Sequence, residues 1–383
     1  MKTRMHVAVV GAGAFGGWIA LHLLERGARV TLVDAWGPGN SRASSGGETR
    51  IMRCTYGPDQ PYTGLAARAL RLWQKYERRW KRRFLNRTGV LWMASDRNSE
   101  TAFERGSIEM LRGSKVKFQE LSVAAMRKRW PQINFSGIEW GIFEPESGYL
   151  DARRSCLAVA DAFVAGGGRY RQLAVKSDGL EDGEVRALAL SDGSRLKADC
   201  YVFACGPWLG QLFPSAIGNL VQPTKQDVFF LGPPPGDDRF SEKHMPVWAD
   251  RRDHFFYGIP GSGRRGFKVA DDTRGPIFDP TTAERVVSQE TLKSVREYIG
   301  FRFPALKDAP LIETRVCQYE QTPDGDFIVD RHPAKENIWL VGGGSGHGFK
   351  HGPALAEIMA ELILKDREPK ATWRLARFRK TTL

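Results

Sequence analysis

The sequence lacks the features that would place it in several common classes. Its five cysteines, Cys54, Cys156, Cys200, Cys205 and Cys317, are scattered and odd in number. They form neither a disulfide framework nor a CxxC zinc pattern, so a reducing cytoplasm is the simplest compartment and no metal is expected. No segment is long and apolar enough to span a bilayer. The start, MKTRMHVAVVGAGAFGGWIALHLL, has the basic head and apolar run of a signal peptide. A glycine cluster and His22 break that run, however, and no convincing cleavage site follows it. Internal repeats, low-complexity tracts and nucleic-acid-binding motifs are all missing. Acidic residues are outnumbered, 44 against 57 Lys plus Arg, which leaves a net charge of +13. Such an excess could serve nucleic acid, an anionic membrane or acidic small molecules. The densest basic run is RALRLWQKYERRWKRRF, Arg68–Phe84. Leu65, Ala69, Leu72, Trp73, Tyr76 and Trp80 fall there at helical spacing, with bases on the other face. It reads as a helix buried on one side and solvated on the other, so neither nucleic acid nor membrane is expected as a partner.

The composition itself is that of a globular protein, 42% apolar and 26% charged over 383 residues, a length that favours two domains. The segment HVAVVGAGAFGGWIALHLLERGARVTLVDA reads as β-α-β. Val7–Val10 form a buried strand, Gly17–Arg26 a helix, and Arg29–Asp34 a second strand ending in an acid. Gly11 permits the tight turn, Gly13 lets a pyrophosphate approach the backbone, and Gly16 lets helix pack on strand. The helix N-terminus offers free N–H groups to phosphate, and Asp34 can accept hydrogen bonds from ribose hydroxyls. This is a dinucleotide site, and the motif alone does not separate NAD from FAD.

Two later segments favour FAD. LKADCYVFACGPWLG (Leu196–Gly210) ends a β-stretch in Ala-Cys-Gly-Pro-Trp, similar to the second signature of FAD-binding oxidoreductases. NIWLVGGGSGHGFKHGPALAEIMAELIL (Asn337–Leu364) is a third glycine-rich strand-to-helix join. Its helix buries Ala354, Leu355, Ile358, Met359, Leu362 and Ile363, and its N-terminal dipole favours an anionic neighbour such as a reduced flavin. The run from Gly343 to His347 is no nucleophile elbow, because His stands where the last glycine of G-x-S-x-G belongs. On its own, Cys317 in ETRVCQYEQTPDGDFIVDRHP could be a small core residue, a metal or redox ligand, or a covalent attachment point.

An ordered set of motifs then spans nearly the whole chain. It comprises VVGAGAFGGWIALHL, GGETRIMR (Gly46–Arg53), TGVLWM (Thr88–Met93), ACGPW, YGIPGSGRRGFK (Tyr257–Lys268), CQYEQTPDGDFIVDRHP and GSGHGFK (Gly344–Lys350). In order and spacing it resembles the D-amino-acid-oxidase-like FAD-dependent oxidoreductases, and within them the monomeric sarcosine oxidase and N-methyltryptophan oxidase group. The resemblance implies FAD joined through a thioether from Cys317 to the flavin 8α-methyl. It implies cofactor contacts from Gly11, Gly13, Ala14, Phe15, Gly16, Asp34, Ala35, Arg42, Thr49 and Arg50. Further along the chain it adds Val175, Cys205, Gly206, Trp208, Gly343, Gly346, His347, Gly348 and Lys350. Lys268 matches a lysine beside the flavin where oxygen is reduced, and a fixed ammonium would lower the barrier to superoxide. Lys268, Arg50 and Tyr257 are thus the expected catalytic residues. Arg53 and Lys350 are expected to hold a substrate carboxylate, with Tyr257, Asp272 and Gly344 lining the same pocket.

Three positions depart from the group: Gly46 and Asp272 replace histidines, and Gly344 replaces an aromatic. Cofactor chemistry is therefore expected to carry over while the substrate changes, with more room at Gly344 and a preference for cationic side chains at Asp272. The implied reaction is oxidation of the C–N bond of an N-alkyl or cyclic amino acid to an imine, with O2 reduced to H2O2. No protein base is required if the amine binds neutral, and Arg53 and Lys350 disfavour an ammonium beside them. Alternatives are an FAD dehydrogenase serving another electron acceptor and a nicotinamide-dependent dehydrogenase. The expected architecture is α/β. A Rossmann-like FAD domain, built from 1–87, 148–222 and 315–383, accompanies a substrate domain from 88–147 and 223–314 on a mixed or antiparallel sheet. The protein is expected to be a monomer.

Overall fold

The computed structural model describes residues 4–96, 103–180, 185–252, 254–263 and 265–379. Arg264 of the Tyr257–Lys268 motif and the expected domain ends 1–3 and 380–383 lie outside the described residues. The strand His6–Val10, apolar after His6, is buried along its length and pairs in parallel with both Cys200–Phe203 and Arg29–Val33. Buried on both faces, it reads as a continuous apolar run, as central parallel strands do. The sheet has six strands, ordered Ile328–His332, Lys335–Gly342, Cys200–Phe203, His6–Val10, Arg29–Val33 and Arg169–Arg171. All pair in parallel except the 328–342 hairpin.

Helix Gly16–Glu25 packs between Gly352–Leu364 and Ala152–Ala165. It carries Trp18, whose ring stacks on Trp80 at 5.6 Å and meets Trp73 and Tyr76 edge-on. Those three aromatics come from the basic helix Gln60–Trp80, which begins where Asp59 accepts a hydrogen bond from the Tyr62 backbone N–H. Its apolar stripe is core; its arginines face solvent or ion pairs such as Arg68–Glu357. None of the described helices is long and apolar enough to cross a membrane.

A second, mixed sheet has eight strands, ordered Leu311–Gln321, Gln222–Leu231, Phe267–Asp271, Phe255–Ile259, Val247–Arg251, Val90–Ala94, Trp140–Glu144 and Gln119–Ser122. Only the pair 247–251 with 90–94 is parallel. Gln222–Leu231 and Leu311–Gln321 pair along their whole length. The expected divisions at 222/223 and 314/315 therefore fall inside paired strands, and Cys317 sits in this second sheet opposite Gln226. Between the large sheets, Thr49–Met52, Gly148–Asp151 and Leu85–Asn86 form a small three-stranded one.

Helix Gln289–Arg302 is pinned to the second sheet by a buried charge pair. Arg302 Nη2 and Nε lie 2.8 and 3.0 Å from Asp250 Oδ2, and Tyr298 donates to the same oxygen at 3.0 Å. Arg302 also donates to the carbonyls of Asn134 and Ser136. Removing Arg302 leaves the buried Asp250 carboxylate with only the Tyr298 hydroxyl and the longer contacts of the partly exposed Arg252, at 3.2 and 3.4 Å. Arg302→Ala is expected to lower the unfolding free energy by about 3–5 kcal/mol. Urea denaturation followed by circular dichroism would measure it, and a loss under about 1 kcal/mol would mean that water reaches Asp250.

Candidate active site

The larger of two adjoining cavities lies at the carboxyl ends of the parallel strands, where ligands bind in open α/β sheets, and measures about 260 Å3. Gly11, Gly13, Ala14 and Phe15 line it from the first turn, and Asp34 and Ala35 from the end of the Arg29–Val33 strand. Val175, Cys205, Gly206 and Trp208 close another side, with Gly344, Gly346 and Gly348 opposite. A Cβ on Gly11 would stand 2.3 Å from the Ala204 carbonyl, and one on Gly16 would stand 1.9 Å from the Gly11 carbonyl. The turn is thus as tight as two neighbouring backbones allow. Gly16 shapes it without reaching the cavity, and Gly343 likewise is not part of the lining. Asp34 accepts backbone N–H bonds from Ala12 (2.7 Å), Trp36 (2.9 Å) and Gly37 (2.7 Å). Burial pushes its carboxyl up and these bonds pull it back. About one of its roughly four acceptor positions remains for a ribose hydroxyl.

The residues fit a dinucleotide. Ser44 and Ser45 line this cavity; their hydroxyls are buried and have no hydrogen-bond partner among the described residues, and a Cβ on Gly13 would face Ser45 Oγ at 3.1 Å. With the N-terminus of helix Gly16–Glu25 they form a donor set for an anionic diphosphate. Arg42 departs from expectation: it is exposed, donates to the Thr281 carbonyl at 3.0 Å and does not line the cavity.

The smaller cavity, about 80 Å3, shares Arg50, Tyr319, Gly346 and Phe349 with the first. Arg53, Tyr257, Lys268, Asp272, Cys317 and Lys350 converge in it, walled by Ile51, Val90, Trp92, Val228 and Phe255. Arg53 lays its guanidinium 4.2 Å from the Tyr56 ring centre and 5.1 Å from that of Trp92, and donates to the Thr55 carbonyl. Lys350 Nζ donates to Tyr56 Oη and to the His347 carbonyl, both at 2.8 Å. Burial first, then Arg53, pushes the Lys350 ammonium well down; Asp272 acts in the opposite sense. His347 lines this smaller cavity rather than the larger one. It approaches the Gly325 carbonyl at 3.0 Å through Nε2, and burial holds its ring down at about 3.

Lys268 is buried and donates to the Thr49 carbonyl at 3.1 Å. Burial, then the neighbouring Arg50 charge, push it down to about 7, while Cys317 opposes them. Thr49 holds that lysine through its backbone and lines neither cavity. Arg50 Nη2 lies 3.4 Å from Cys317 Sγ, and Arg50 also donates to the carbonyls of Ser44, Gly46 and Thr49. Burial raises the Tyr257 phenol, with Asp272 beside it adding to the rise.

Two of the departures take on a different meaning. A Cβ on Gly46 would sit 2.2 Å from the Asn40 carbonyl, so this loop has no space for the group's histidine. Gly344 belongs to the larger cavity, and the space beside it is filled: its Cβ would meet Glu320 Oε1 at 2.8 Å. The expected gain of substrate room at Gly344 is therefore corrected, because a buried acid occupies the place.

Sequence reading missed four residues. Glu320 lines the larger cavity, with Oε2 buried and unpartnered; burial pushes its carboxyl up to about 7, against the Gly344 and Gly343 N–H groups. Tyr319 lines both cavities and donates to Asp272 Oδ1 at 2.6 Å. Tyr56 links Lys350 to His351 at 2.7 Å. Glu144 fixes the backbone after Arg53 by accepting from the N–H groups of Cys54 (2.8 Å) and Thr55 (3.0 Å). The signal for Glu320 and Tyr319 was local: alternating polar side chains on a strand running beside a glycine-rich loop.

Comparison with known proteins agrees with this geometry. The family model described as FAD dependent oxidoreductase (DAO) matches residues 6–362. A monomeric sarcosine oxidase of Bacillus sp. (strain B-0618) is 29% identical, over 95% of this chain and 93% of that protein. The human peroxisomal sarcosine oxidase is 28% identical, over 98% and 97% respectively. Among solved structures, the L-proline dehydrogenase from P. horikoshii superposes with a TM-score of 0.84 at 23% identity, covering 99% of this chain and 98% of that one. A family match running almost end to end, on a chain whose strand ends form a dinucleotide cradle, has one consequence: the chain belongs to the DAO family of FAD-dependent oxidoreductases.

Proposed function

We propose that this protein is an FAD-dependent amine oxidase. It oxidises the C–N bond of an N-alkyl or cyclic amino acid to an imine, with O2 reduced to H2O2. The observation that carries the reading is the small cavity beside the dinucleotide cradle, where Arg53 and Lys350 converge on one side and buried Lys268 on another. The sarcosine and N-methyl-L-tryptophan oxidases among its relatives support the substrate class. We place the protein in the cytoplasm as a monomer; its free cysteines fit a reducing compartment. We assign segments 1–87, 148–222 and 315–383 to the cofactor domain and 88–147 and 223–314 to the substrate domain, with Arg53 and Lys350 reaching the substrate from the cofactor side.

FAD, when bound, takes two electrons from the substrate and delivers them to oxygen. The chain's own residues bind, orient and balance charge. Arg53 presents a planar donor fork to a carboxylate, and the aromatic faces of Tyr56 and Trp92 hold that fork still. Lys350 adds a second cation, anchored at Tyr56. Lys268 supplies positive charge where an anion develops on oxygen, in a water-poor site where such charge acts strongly. Cys317, in the smaller cavity and next to Arg50, which lines both cavities, is the thiol that would tether the cofactor.

The direct test is peroxide formation in air with sarcosine, other N-methyl amino acids, L-proline and pipecolate. Peroxide should appear in step with oxygen consumed; flavin reduction that needs an added acceptor and yields no peroxide would make the protein a dehydrogenase. Acid precipitation should leave the flavin colour in the pellet, and Cys317→Ala should move it to the supernatant while the protein stays folded. Lys268→Met should slow reoxidation by oxygen by about 10²–10³-fold, with anaerobic reduction by substrate slowed much less. Stopped-flow measurement of the two half-reactions separates these effects.

The same lysine has a stability signature. Its folded-state pKa lies below the unfolded value of 10.5, so the unfolded chain binds the proton first as pH falls. Lys268 thus costs no stability at high pH, and the cost grows as pH drops from the unfolded value toward about 7. Lys268→Met should be the more thermostable protein at pH 6, and its advantage should shrink at pH 10. Equal differences at both pH values in calorimetry would show that Lys268 is not desolvated.

A further inference from the structure

Among the described residues, Asp272 is the one acid in the lining of a cavity otherwise furnished with Arg50, Arg53, Lys268 and Lys350. It follows the strand Phe267–Asp271, and its backbone N–H donates to the Phe255 carbonyl at 2.7 Å, which fixes the main chain. Tyr319 Oη fixes one carboxyl oxygen at 2.6 Å. Among the described residues the other oxygen makes no hydrogen bond. A carboxylate held at one end and free at the other, opposite two cations, is the charge complement of an amino acid zwitterion. The carboxylate end belongs to Arg53 and Lys350, which leaves Asp272 for the nitrogen. Because the cavity is only about 80 Å3, a compact substrate fills it, and Asp272 meets the α-nitrogen rather than a distant cationic side chain.

We propose that Asp272 binds the α-ammonium of the substrate and takes one proton from it, so that the enzyme captures the zwitterion and generates the oxidisable amine in place. The N–H bond breaks, an O–H bond forms on Asp272, and the electron pair stays on nitrogen. No oxidant enters the step. This inference rests on reading the small cavity as the amino-acid site, and it replaces the expectation that the amine binds neutral without a protein base.

The surroundings suit the task. Burial raises the Asp272 carboxyl to about 6, against the Tyr319 hydrogen bond and the charges of Arg53 and Lys350. Asp271 raises it further and is itself paired with His254 Nδ1 at 2.8 Å. Tyr257 faces it from the adjacent strand, and its phenol stays protonated because burial pushes it far up. A carboxylate in this position is ionised near neutral pH yet basic enough to accept a proton inside the cavity.

Two measurements test the proposal on the holoenzyme. The first uses the wild-type protein and two non-oxidised probes, read by the change in flavin absorbance. One is glycine betaine, whose nitrogen is permanently cationic; the other is (methylthio)acetate, a neutral isostere of sarcosine. Betaine affinity should fall about tenfold per pH unit below about 6 as Asp272 protonates, while (methylthio)acetate affinity should not fall. Parallel curves for the two probes would overturn the proposal. The second is the pH profile of anaerobic flavin reduction by sarcosine or L-proline in Asp272→Asn. The wild type should show a plateau between the Asp272 pKa and that of the substrate amine. The variant, needing the neutral amine from solution, should rise about tenfold per pH unit up to the amine pKa. An unchanged plateau in the variant would overturn the inference alone. Failure of the wild type to be reduced by any amino acid would instead overturn the amine-oxidase reading.

Discussion

One carbonyl oxygen carries the site. The backbone oxygen of Thr49 accepts from Lys268 Nζ at 3.1 Å and from Arg50 Nη1 at 2.8 Å. Lys268 comes from the eight-stranded sheet, and Thr49 and Arg50 come from the small three-stranded one. Two cations meeting at a single acceptor would repel each other apart in a low-dielectric interior unless both were otherwise held. Arg50 is held by the carbonyls of Ser44 and Gly46 and by the Cys317 sulfur. The conflict shows at Lys268, where burial and then the Arg50 charge push the pKa down to about 7. The loop that holds Arg50 also bears Ser44 and Ser45, so the serine hydroxyls of the larger cavity and Lys268 of the smaller one are fixed by the same short segment.

The remaining buried charges follow the same rule in different ways. Glu144 spends its carboxylate on the N–H groups of Cys54 and Thr55 and the hydroxyls of Thr55 and Ser147, which sets the chain just beyond Arg53. Arg53 in turn finds aromatic faces rather than an acid, so its positive field stays available to an incoming anion. Glu320 has no cation among the causes of its shift, only burial opposed by two backbone N–H groups. Burial thus brings that carboxyl up to about 7, which lessens the negative charge beside the dinucleotide cradle near neutral pH.

How much of this was legible in the sequence depends on range. The β-α-β start could be read because each glycine, the helix and Asp34 act within a few turns of chain. Arg53, Lys268, Cys317 and Lys350 were named from an ordered set of motifs, and the fold brings them to one small cavity. Glu320 beside Gly344 was missed: alternating polar residues mark a strand face, but they do not say that a loop from a different sheet packs against it. Gly46 seemed a lost side chain and is a packing requirement against Asn40. The segment divisions expected near 222 and 315 fall inside strands for a similar reason. The ladder between Gln222–Leu231 and Leu311–Gln321 runs straight through both, a long-range pairing that no local stretch of sequence shows.

The pKa shifts suit one compact site to the two proposed steps, which want opposite charge. Capture of a zwitterion needs a carboxylate facing nitrogen and cations facing the acid group; oxygen reduction needs a cation where superoxide forms. Asp272, Lys268 and Glu320 are each brought to about 6 or 7, the first and last by raising an acid and the middle by lowering a base. Burial is the largest cause in all three, so no dedicated counter-charge has to be built for any of them. A group poised near neutrality can change charge for little free energy when a ligand arrives, whereas one left at its ordinary value could not. The Tyr319 hydroxyl joins Asp272 to a strand that lines both cavities, so a change of charge at the amino-acid end is felt where the cofactor lies. Desolvation, which would be a liability in a site of fixed charges, is here the means by which substrate protonation and electron transfer share one small volume.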